Sequence, residues 1–555
     1  MKFRFLLSAA LLAGVGLSGI AQTHKEGIEY YKADQFANAA ELLDRNMNNP
    51  GTDKAISNYY LGLIALKAQQ PEAAKKYFDA GIAANPDCAF NYIGLGQIAL
   101  LNKNVKQAET YFKEAKSKVK AKEDKPQLFI DIARAYYEVD PVAYAKEIQK
   151  NFDDAVKSSP KEKGTNAPMS PEIYIFEGDM AKDKRDAGAA GNKYEMAIRY
   201  NPNTPEAYVK YANLFTEVNP QFAILKLKEL LSIDPNSALG QRELALAYDN
   251  KNDYANAVKE YEKYIKNPNH FRQDEVQYAL LLFNDSNYEG GYKFASDLLA
   301  QDPSNFTAQR FQFLNAAQIE DMKDQWLPLA EGLLKAHKAN PKNRLAQLDY
   351  TLIGDELEKA GRADEAQALF EEAISLDPEN PQYYKLLSQN LRGQRIYDKA
   401  ADNFNKFIEL KKEPNFNDVV QQARYNYNAG QINYDKNKDV ANQYFNIANQ
   451  SADRALTISG DYPTPYIIKG EVAIAMAPDD NSRNSAAVDY FTKAIEIIEA
   501  TDPAKYKSDA VDLYDYLGRY YAGSNQKSKA LDYYNKLLQL DPENQTAKKM
   551  AASLK

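Results

Sequence analysis

The side chains best suited to chemistry are few in this chain and poorly spaced for it. Three histidines, His24, His270 and His337, lie far apart and never at i, i+4, so they make no metal-ligand spacing. Each is read as a surface or turn residue. No Gly-rich phosphate cradle, nucleophile elbow or Cys/His pairing occurs in the sequence. The 77 acidic residues would bring two carboxylates face to face somewhere. Spread over helical surfaces, they read as a solvated face rather than a glycosidase pair. No catalytic residue, metal ligand or cofactor is assigned, and the chain is read as not an enzyme.

Two clusters suit binding rather than reaction. In "KLLSQNLR", Lys385, Gln389 and Arg392 recur every three or four residues and make one basic polar stripe on a helix. In "ARYNYNAGQINYDKNK" (Ala423–Lys438), Asn426, Tyr427, Asn433 and Tyr434 set amphipathic rings beside amides. Rings and amides together suit hydrogen bonding to an extended peptide or stacking on a sugar. Each cluster has a plainer alternative: a solvated helix face for the first, core packing plus ordinary surface for the second.

The elements that must carry these residues are written as a repeated phrase. "EAQALFEEAISLDPENPQYYKLL" (Glu365–Leu387) has close relatives in "PNTPEAYVKYANLF" (Pro202–Phe215) and "ALDYYNKLLQLDPENQTAKKM" (Ala530–Met550). A first helix carries a small residue among apolar ones, as in "LGLIAL", "GLGQIAL" and "DYLGRYYAG". A polar turn follows, then a second helix with Ala, an aromatic and a small residue at offsets of four and seven. Ala74–Phe78–Gly81, Ala108–Phe112–Ala115, Ala366–Phe370–Ala373, Ala441–Phe445–Ala448 and Ala487–Phe491–Ala494 all follow it. Those offsets share one helical face. A small side chain there lets two helix axes approach while the ring fills the space beside it, at the usual ~8–10 Å separation.

The period is 34 from Ala74 to Ala108, Ala223 to Ala257, Ala257 to Gly291 and Ala366 to Ala400. Prolines 202, 235, 268, 303, 341 and 378 keep nearly the same beat, at spacings of 33, 33, 35, 38 and 37. The pairs Asn201-Pro202, Asp234-Pro235, Asp302-Pro303, Asp377-Pro378 and Asp541-Pro542 stop the second helix, because the residue before proline is pushed out of the α region. Ser170-Pro171, Thr204-Pro205, Asn380-Pro381 and Thr464-Pro465 then open the next helix with a capping side chain and a proline in the first turn.

This grammar resembles the tetratricopeptide repeat family. The match is strongest in Asn58–Pro86, Asn91–Ala115, Leu348–Pro378 and Tyr514–Pro542, with about fourteen units between His24 and Leu554. The unit holding "YYEVDPVAYAKEIQKNFDDAV" is weak and that holding "DMKDQWLPLAEGLLKAHKANP" is stretched. After Glu413 the spacing grows to 41 and 46 (Ala400 to Ala441, Ala441 to Ala487), so longer helices are expected there. The resemblance implies an all-α fold, a right-handed superhelical α-solenoid of stacked antiparallel helix pairs, and protein–protein binding without a reaction. It also places Asn426, Tyr427, Asn433 and Tyr434 on a groove-facing first helix. Some family members grip a C-terminal carboxylate with Lys, Asn and Arg; Lys385 and Arg392 offer the charge, but the paired asparagine pattern is absent, and chaperone-tail binding is not supported. Tyr194, Tyr254, Tyr261, Tyr288, Tyr397 and Tyr534 fall at framework positions and read as packing residues.

At 555 residues the chain exceeds what one core holds, since single cores stop growing near ~250–300 residues. Polar stretches at Lys157–Glu172 and Leu410–Asp418 suggest joints. The expected organisation is a leader over 1–21, an N-terminal array over 22–160, a central array over 161–412, and a C-terminal array with longer helices and a capping helix over 413–555. The opening "MKFRFLLSAALLAGVGLSGIAQ" has a basic start, an apolar stretch too short for the ~20 residues of a span, and small residues before a cut at Ala21/Gln22. It reads as a cleaved export signal, with an uncleaved anchor as the alternative, and the expected location is the periplasm. No further apolar run follows, so no membrane span is expected in the mature chain. A single cysteine, Cys88, makes no internal staple; it is read as a buried free thiol, against pairing with another chain. The net charge of −8 without a basic stripe argues against nucleic acid. The functional expectation is a scaffold of the bacterial cell envelope whose partners are assembly or secretion proteins. The alternative is a glycan-binding or polysaccharide-export accessory.

Overall fold

A computed structural model describes residues 22–479, 485–502 and 504–555. The leader read over 1–21 lies outside the described residues. The chain forms two compact units that divide after Phe311.

The first unit begins with the pairs α1 (His24–Lys32) with α2 (Phe36–Asn46), α3 (Lys54–Lys67) with α4 (Pro71–Ala84), and α5 (Ala89–Leu101) with α6 (Val105–Lys118). Next come α7 (Lys125–Val139) with α8 (Ala145–Ser158), and α9 (Pro171–Asp183) with α10 (Ala187–Tyr200). Then follow α11 (Pro205–Phe215) with α12 (Pro220–Ile233), α13 (Ala238–Asn250) with α14 (Tyr254–Ile265), and α15 (Glu275–Asn284) with α16 (Tyr288–Gln301). Helix α17 (Phe306–Ala316) spans the division and α18 (Lys323–Ala339) follows it.

The second unit continues with α19 (Gln347–Lys359) and α20 (Ala363–Leu376), α21 (Pro381–Gly393) and α22 (Tyr397–Leu410), and α23 (Phe416–Asn433) and α24 (Lys438–Ile458). It ends with α25 (Pro463–Met476) and α26 (Val488–Ala500), α27 (Lys507–Gly523) and α28 (Lys527–Leu540), and a single terminal helix α29 (Gln545–Leu554). No β-strand occurs among the described residues. Within each unit a helix packs on its own partner and on the next pair, and first helices also touch first helices, as in α5 on α7 and α23 on α25. The fold is an all-α solenoid.

The repeated phrase is the packing rule. Ala74, Ala108, Ala366, Ala441 and Ala487 are fully inaccessible, and Phe78, Phe112, Phe370, Phe445 and Phe491 are buried above them. The first-helix glycine supplies the other half of the contact. A Cβ added to Gly354 would stand 2.2 Å from Phe370 Cζ, and one on Gly470 2.2 Å from Phe491 Cε1. Of the framework tyrosines, Tyr194, Tyr261 and Tyr534 are fully buried. Tyr254, Tyr288 and Tyr397 are half-buried at the first positions of α14, α16 and α22.

Helix ends follow the proline logic. Asn201, Asp234, Asp302, Asp377 and Asp541 are the C-caps of α10, α12, α16, α20 and α28, each with extended ψ between 80° and 96°. The N-terminal caps differ from expectation. Asn380 Oδ1 accepts from Gln382 N at 3.1 Å, but Ser170 and Thr204 make no side-chain cap. Thr204 Oγ1 instead donates to the Asn201 carbonyl at 2.8 Å, and Ser170 Oγ is held by Ser159 Oγ at 2.9 Å. Helix α25 starts at Pro463, two residues before Pro465.

The weak unit is formed by α7 and α8, and the stretched one by α18, which keeps Pro328 inside the helix. The longer spacing after Glu413 is absorbed by α23 and α24, of 18 and 21 residues. The Lys157–Glu172 stretch lies inside the first unit as a closed loop: Ser159 Oγ accepts from Met169 N and Ser170 N at 3.0 and 3.1 Å. Cys88 is a buried free thiol at the N-cap of α5. His337 departs from the surface reading. It is buried in α18, with Nδ1 2.5 Å from the Asn343 carbonyl and Nε2 2.8 Å from Glu372 Oε1.

Gly354→Ala and Ala366→Trp test the packing rule from opposite helices of one pair. Alanine at 354 gains ~0.5–1 kcal/mol of helix propensity. Its methyl meets a ring that is fully enclosed and cannot retreat, and overpacking costs ~1–3 kcal/mol, so a net loss is expected. Ala366→Trp should lose more. Chemical denaturation followed by circular dichroism measures both; an unchanged midpoint for Gly354→Ala would contradict the contact.

Candidate functional site

The sequence-selected residues lie on neighbouring helices of the second unit. Lys385, Gln389 and Arg392 are on α21, with Gln389 and Arg392 exposed and Lys385 half-buried. Lys385 Nζ stands 5.5 Å from the Phe407 ring and the Arg392 guanidinium 5.6 Å from Tyr425, cation–π distances that fix both stems. Asn426 is fully buried. It exchanges amide hydrogen bonds with Asn405 at 2.8 and 3.0 Å and donates to the Gln422 carbonyl at 2.9 Å. Asn433 donates to the carbonyl of Ala429 in its own helix at 2.9 Å. Tyr427 is half-buried against Phe445, accepts from Gln431 at 3.0 Å and lies under Arg424 at 5.7 Å. Lys438 Nζ is 5.2 Å from the Tyr434 ring. The two asparagines thus serve the helix framework, while the basic stripe and the two tyrosines reach the surface.

Sequence reasoning missed the charges that continue this series. Arg424 of α23 pairs with Glu471 of α25 at 2.5 Å. Burial raises the Glu471 carboxyl; Arg424 opposes this, and Asp509 and Asp512 of α27 add to it. Burial likewise raises Asp509, with Arg424 opposing and Asp512 adding. Successive first helices therefore run from Lys385 and Arg392 at one end to Glu471 and Asp509 beside Arg424, with Asp512 next to both carboxylates, at the other.

In the first unit the first pair returns to the sixth and seventh and to the segment that follows the seventh. Helix α1 touches α11 and α13, and one continuous apolar core joins Tyr30, Leu42 and Phe78 to Val209, Leu244 and Leu282. Tyr30 meets Phe271 edge-on at 5.2 Å. Arg45 Nη1 donates to the His270 carbonyl at 3.1 Å, Gln22 Nε2 to that of Pro268 at 2.7 Å, and Gln35 Nε2 to Glu243 Oε1 at 2.8 Å.

Inside this closure lies a cavity of ≈ 170 Å³. At its centre Lys210, 5% exposed, holds Asp179 and Asp34 at 2.9 Å each. Arg134 holds the other Asp179 oxygen at 2.7 Å, and Lys182 joins Asp34 at 2.9 Å. Burial pushes the Asp179 carboxyl up, but Arg134 and Lys210 outweigh it and bring it down to about 2. Lys32 pairs with Glu206 at 3.3 Å and Lys67 with Glu138 at 3.0 Å. Glu29 goes the other way: burial first, then Glu206, Glu26 and Asp234, push it up to about 8 against Lys32. The one sequence signal for this site is Glu206 and Lys210, two charges i, i+4 inside the apolar run of α11; their distant partners carry no signal at all.

No group of three or more His, Cys, Asp or Glu side chains suited to a metal ion occurs among the described residues, and no helix among them is long and apolar enough to cross a membrane. Models of the tetratricopeptide repeat match residues 59–126, 243–269, 351–414 and 511–544. The chain carries tetratricopeptide repeats. Such repeats are a scaffold for binding other proteins. Among solved structures, the C-terminal part of a tetratricopeptide repeat-containing protein from Cytophaga hutchinsonii is 21% identical, covering 50% of this chain and 98% of its own, with a TM-score of 0.40. A tetratricopeptide repeat protein from Parabacteroides merdae is 16% identical, covers 50% and 98%, and scores 0.33. Yeast Tom70 is 12% identical, covers 85% and 91%, and scores 0.30. No curated protein matches the chain in sequence.

Two variants test the charge network of the first unit. Lys210→Met keeps the stem and removes the charge, leaving Asp179 and Asp34 short of a partner, with an expected loss of about 2–4 kcal/mol at pH 7. Because the Asp179 carboxyl is depressed in the fold, its share of stability is full above pH 4 and lost as pH falls towards 2. The Lys210→Met difference should therefore shrink on acidification. Glu29→Gln has the opposite sign. A raised carboxyl weakens the fold as pH climbs above its unfolded value, so the neutral amide should stabilise by about 1–2 kcal/mol at pH 8 and by nothing at pH 4. Urea midpoints across pH 3–8 measure both.

Proposed function

We propose that the chain is a non-catalytic scaffold of the bacterial cell envelope that binds a partner protein along the first helices of its second unit. The reading is supported by the charge series from Lys385 and Arg392 to Glu471, Asp509 and Asp512 on successive first helices. An extended segment laid across those helices would set an acidic side chain against the basic stripe and a basic one among the carboxylates. Gln389, Tyr427 and Tyr434 add hydrogen-bonding and stacking surface between the two ends, and Asn426 and Asn433 hold α23 in the shape that presents them. Each end contributes a different sign, so register and direction are chosen by charge as well as by area. Export to the periplasm, with removal of residues 1–21, belongs to the same proposal, and assembly or secretion proteins are the partners it names.

Crosslinked affinity capture of the exported protein tests the reading. One partner protein should be enriched with the wild type. It should be lost about tenfold or more with Arg392→Glu, and again with Asp509→Lys and Asp512→Lys together, because reversing a charge in a matched pair costs more than ~1.4 kcal/mol. Capture that survives both reversals would sink the proposal. Envelope polysaccharide bound in place of protein, and lost in Tyr427→Ala with Tyr434→Ala, would replace it with the glycan reading.

A further inference from the structure

The cavity of the first unit is not filled by its own charges. Every ammonium or guanidinium at its centre is committed: Lys210, Lys182 and Arg134 to Asp34 and Asp179, and Lys67 to Glu138. At the other end Lys32 stands among three carboxylates, Glu206, Glu172 and Asp131, and among the described residues pairs only with Glu206, at 3.3 Å. Asp131 lines the cavity, and its Oδ1 accepts from Gln127 at 2.8 Å. Its Oδ2 has no hydrogen-bond partner among the described residues. Glu172 also lines the cavity, and among the described residues it makes no ion pair. Phe36, Tyr59, Tyr60 and Tyr137 wall the same space. At ≈ 170 Å³ it exceeds the ~30 Å³ share of a water molecule several-fold.

We propose that this cavity binds an organic cation, an ammonium or guanidinium group on an aliphatic stem, with the charge between Asp131 and Glu172 and the stem against the aromatic wall. The chemistry is complementary on both counts. Asp131 and Glu172 are half-buried and make no ion pair among the described residues; the nearest ammonium, Lys32, is paired with Glu206, which leaves negative charge in excess that a cation meets. The aromatic faces attract a cation and cover its methylenes, where a bare metal ion would gain nothing from them. Burial raises the Asp131 carboxyl to about 6 against Gln127, Arg134 and Lys32, and raises the Glu172 carboxyl against Lys32; a bound cation would offset what those partners do not. The group could arrive as a free amine or as the Lys or Arg side chain of a protein; the shared chemistry is the head and stem.

Calorimetry on the full chain with n-butylammonium chloride, N-acetyl-lysine methylamide and n-butanol separates these cases. Saturable one-to-one binding of the butylammonium ion or the lysine amide, with none for the neutral alcohol, is the expected result. The affinity should fall about tenfold or more in Asp131→Asn and again in Glu172→Gln, with each variant's melting curve confirming that it folds. Tighter binding of the lysine amide than of butylammonium assigns the site to a protein side chain; the reverse assigns it to a small amine. The Arg392→Glu variant of the second unit should bind both as the wild type does, so failure here and failure of the scaffold reading are told apart. No saturable heat with either cation, or affinity unchanged in the folded Asp131→Asn and Glu172→Gln variants, overturns the proposal.

Discussion

Everything in this molecule depends on one steric contact: an aromatic ring of a second helix pressed into the notch left by a missing side chain on the first. Gly354 with Phe370, Gly430 with Phe445 and Gly470 with Phe491 leave no room for a methyl. Dispersion is weak atom by atom and large over a face packed at van der Waals distance, so the notch decides how closely two axes approach and at what rotation. A contact that recurs with a period near 34 residues yields hairpins of nearly one shape. Nearly identical hairpins stacked on their neighbours turn by nearly the same increment each time. The single tryptophan is consistent with that economy, since few notches would hold an indole.

In the first unit the increments bring the first pair back onto the sixth and seventh, and this changes what the inner face must do. An open groove keeps its polar side chains in water; a closed one must pair them. Lys210 and Asp179 are the result. Alone, either charge would be expelled or neutralised. Together with Arg134 and Asp34 they are paired, and Arg134 and Lys210 hold the Asp179 carboxyl below its ordinary range. A network of this kind adds little stability over an apolar filling, but it fits only one register of the closure, because Asp34 reaches both Lys182 and Lys210 from the turn after α1.

The repeat, the helix ends and the aromatic framework were legible because each is a local rule. Periodicity, the residue before proline and a small-residue position act within one turn or one hairpin, so they are written where they operate. Capping was less legible. Ser170 and Thr204 have the right hydroxyls but spend them on Ser159 and the Asn201 carbonyl, and choosing among nearby acceptors needs coordinates. The basic stripe at Lys385, Gln389 and Arg392 was visible as a helical spacing. Asn426 looked like a surface amide because its partner Asn405 sits 21 residues away on another helix. The closure was not legible at all. Asp34 and Lys210 are 176 residues apart, and nothing local in either distinguishes a buried ion pair from two solvated charges.

The energetics of that closure explain why so few contacts suffice. Joining the ends of a flexible chain of ~240 residues would cost about 5 kcal/mol in conformational entropy. The chain between α1 and α14 is not flexible; its hairpins are already stacked, and their packing delivers Tyr30 to within 5.2 Å of Phe271. Most of the ordering cost is met inside each hairpin, where it is repaid by that hairpin's own core. The closing contacts then need only outweigh the freedom of the first pair. That makes the closure a consequence of the accumulated rotation more than of its own interface: a change of angle in any hairpin from α3 to α8 would misalign Asp34 and Lys210 without touching either. The cavity's charge pattern is therefore set by distant notches, and the inner face of the first unit depends on glycines and alanines that it never contacts.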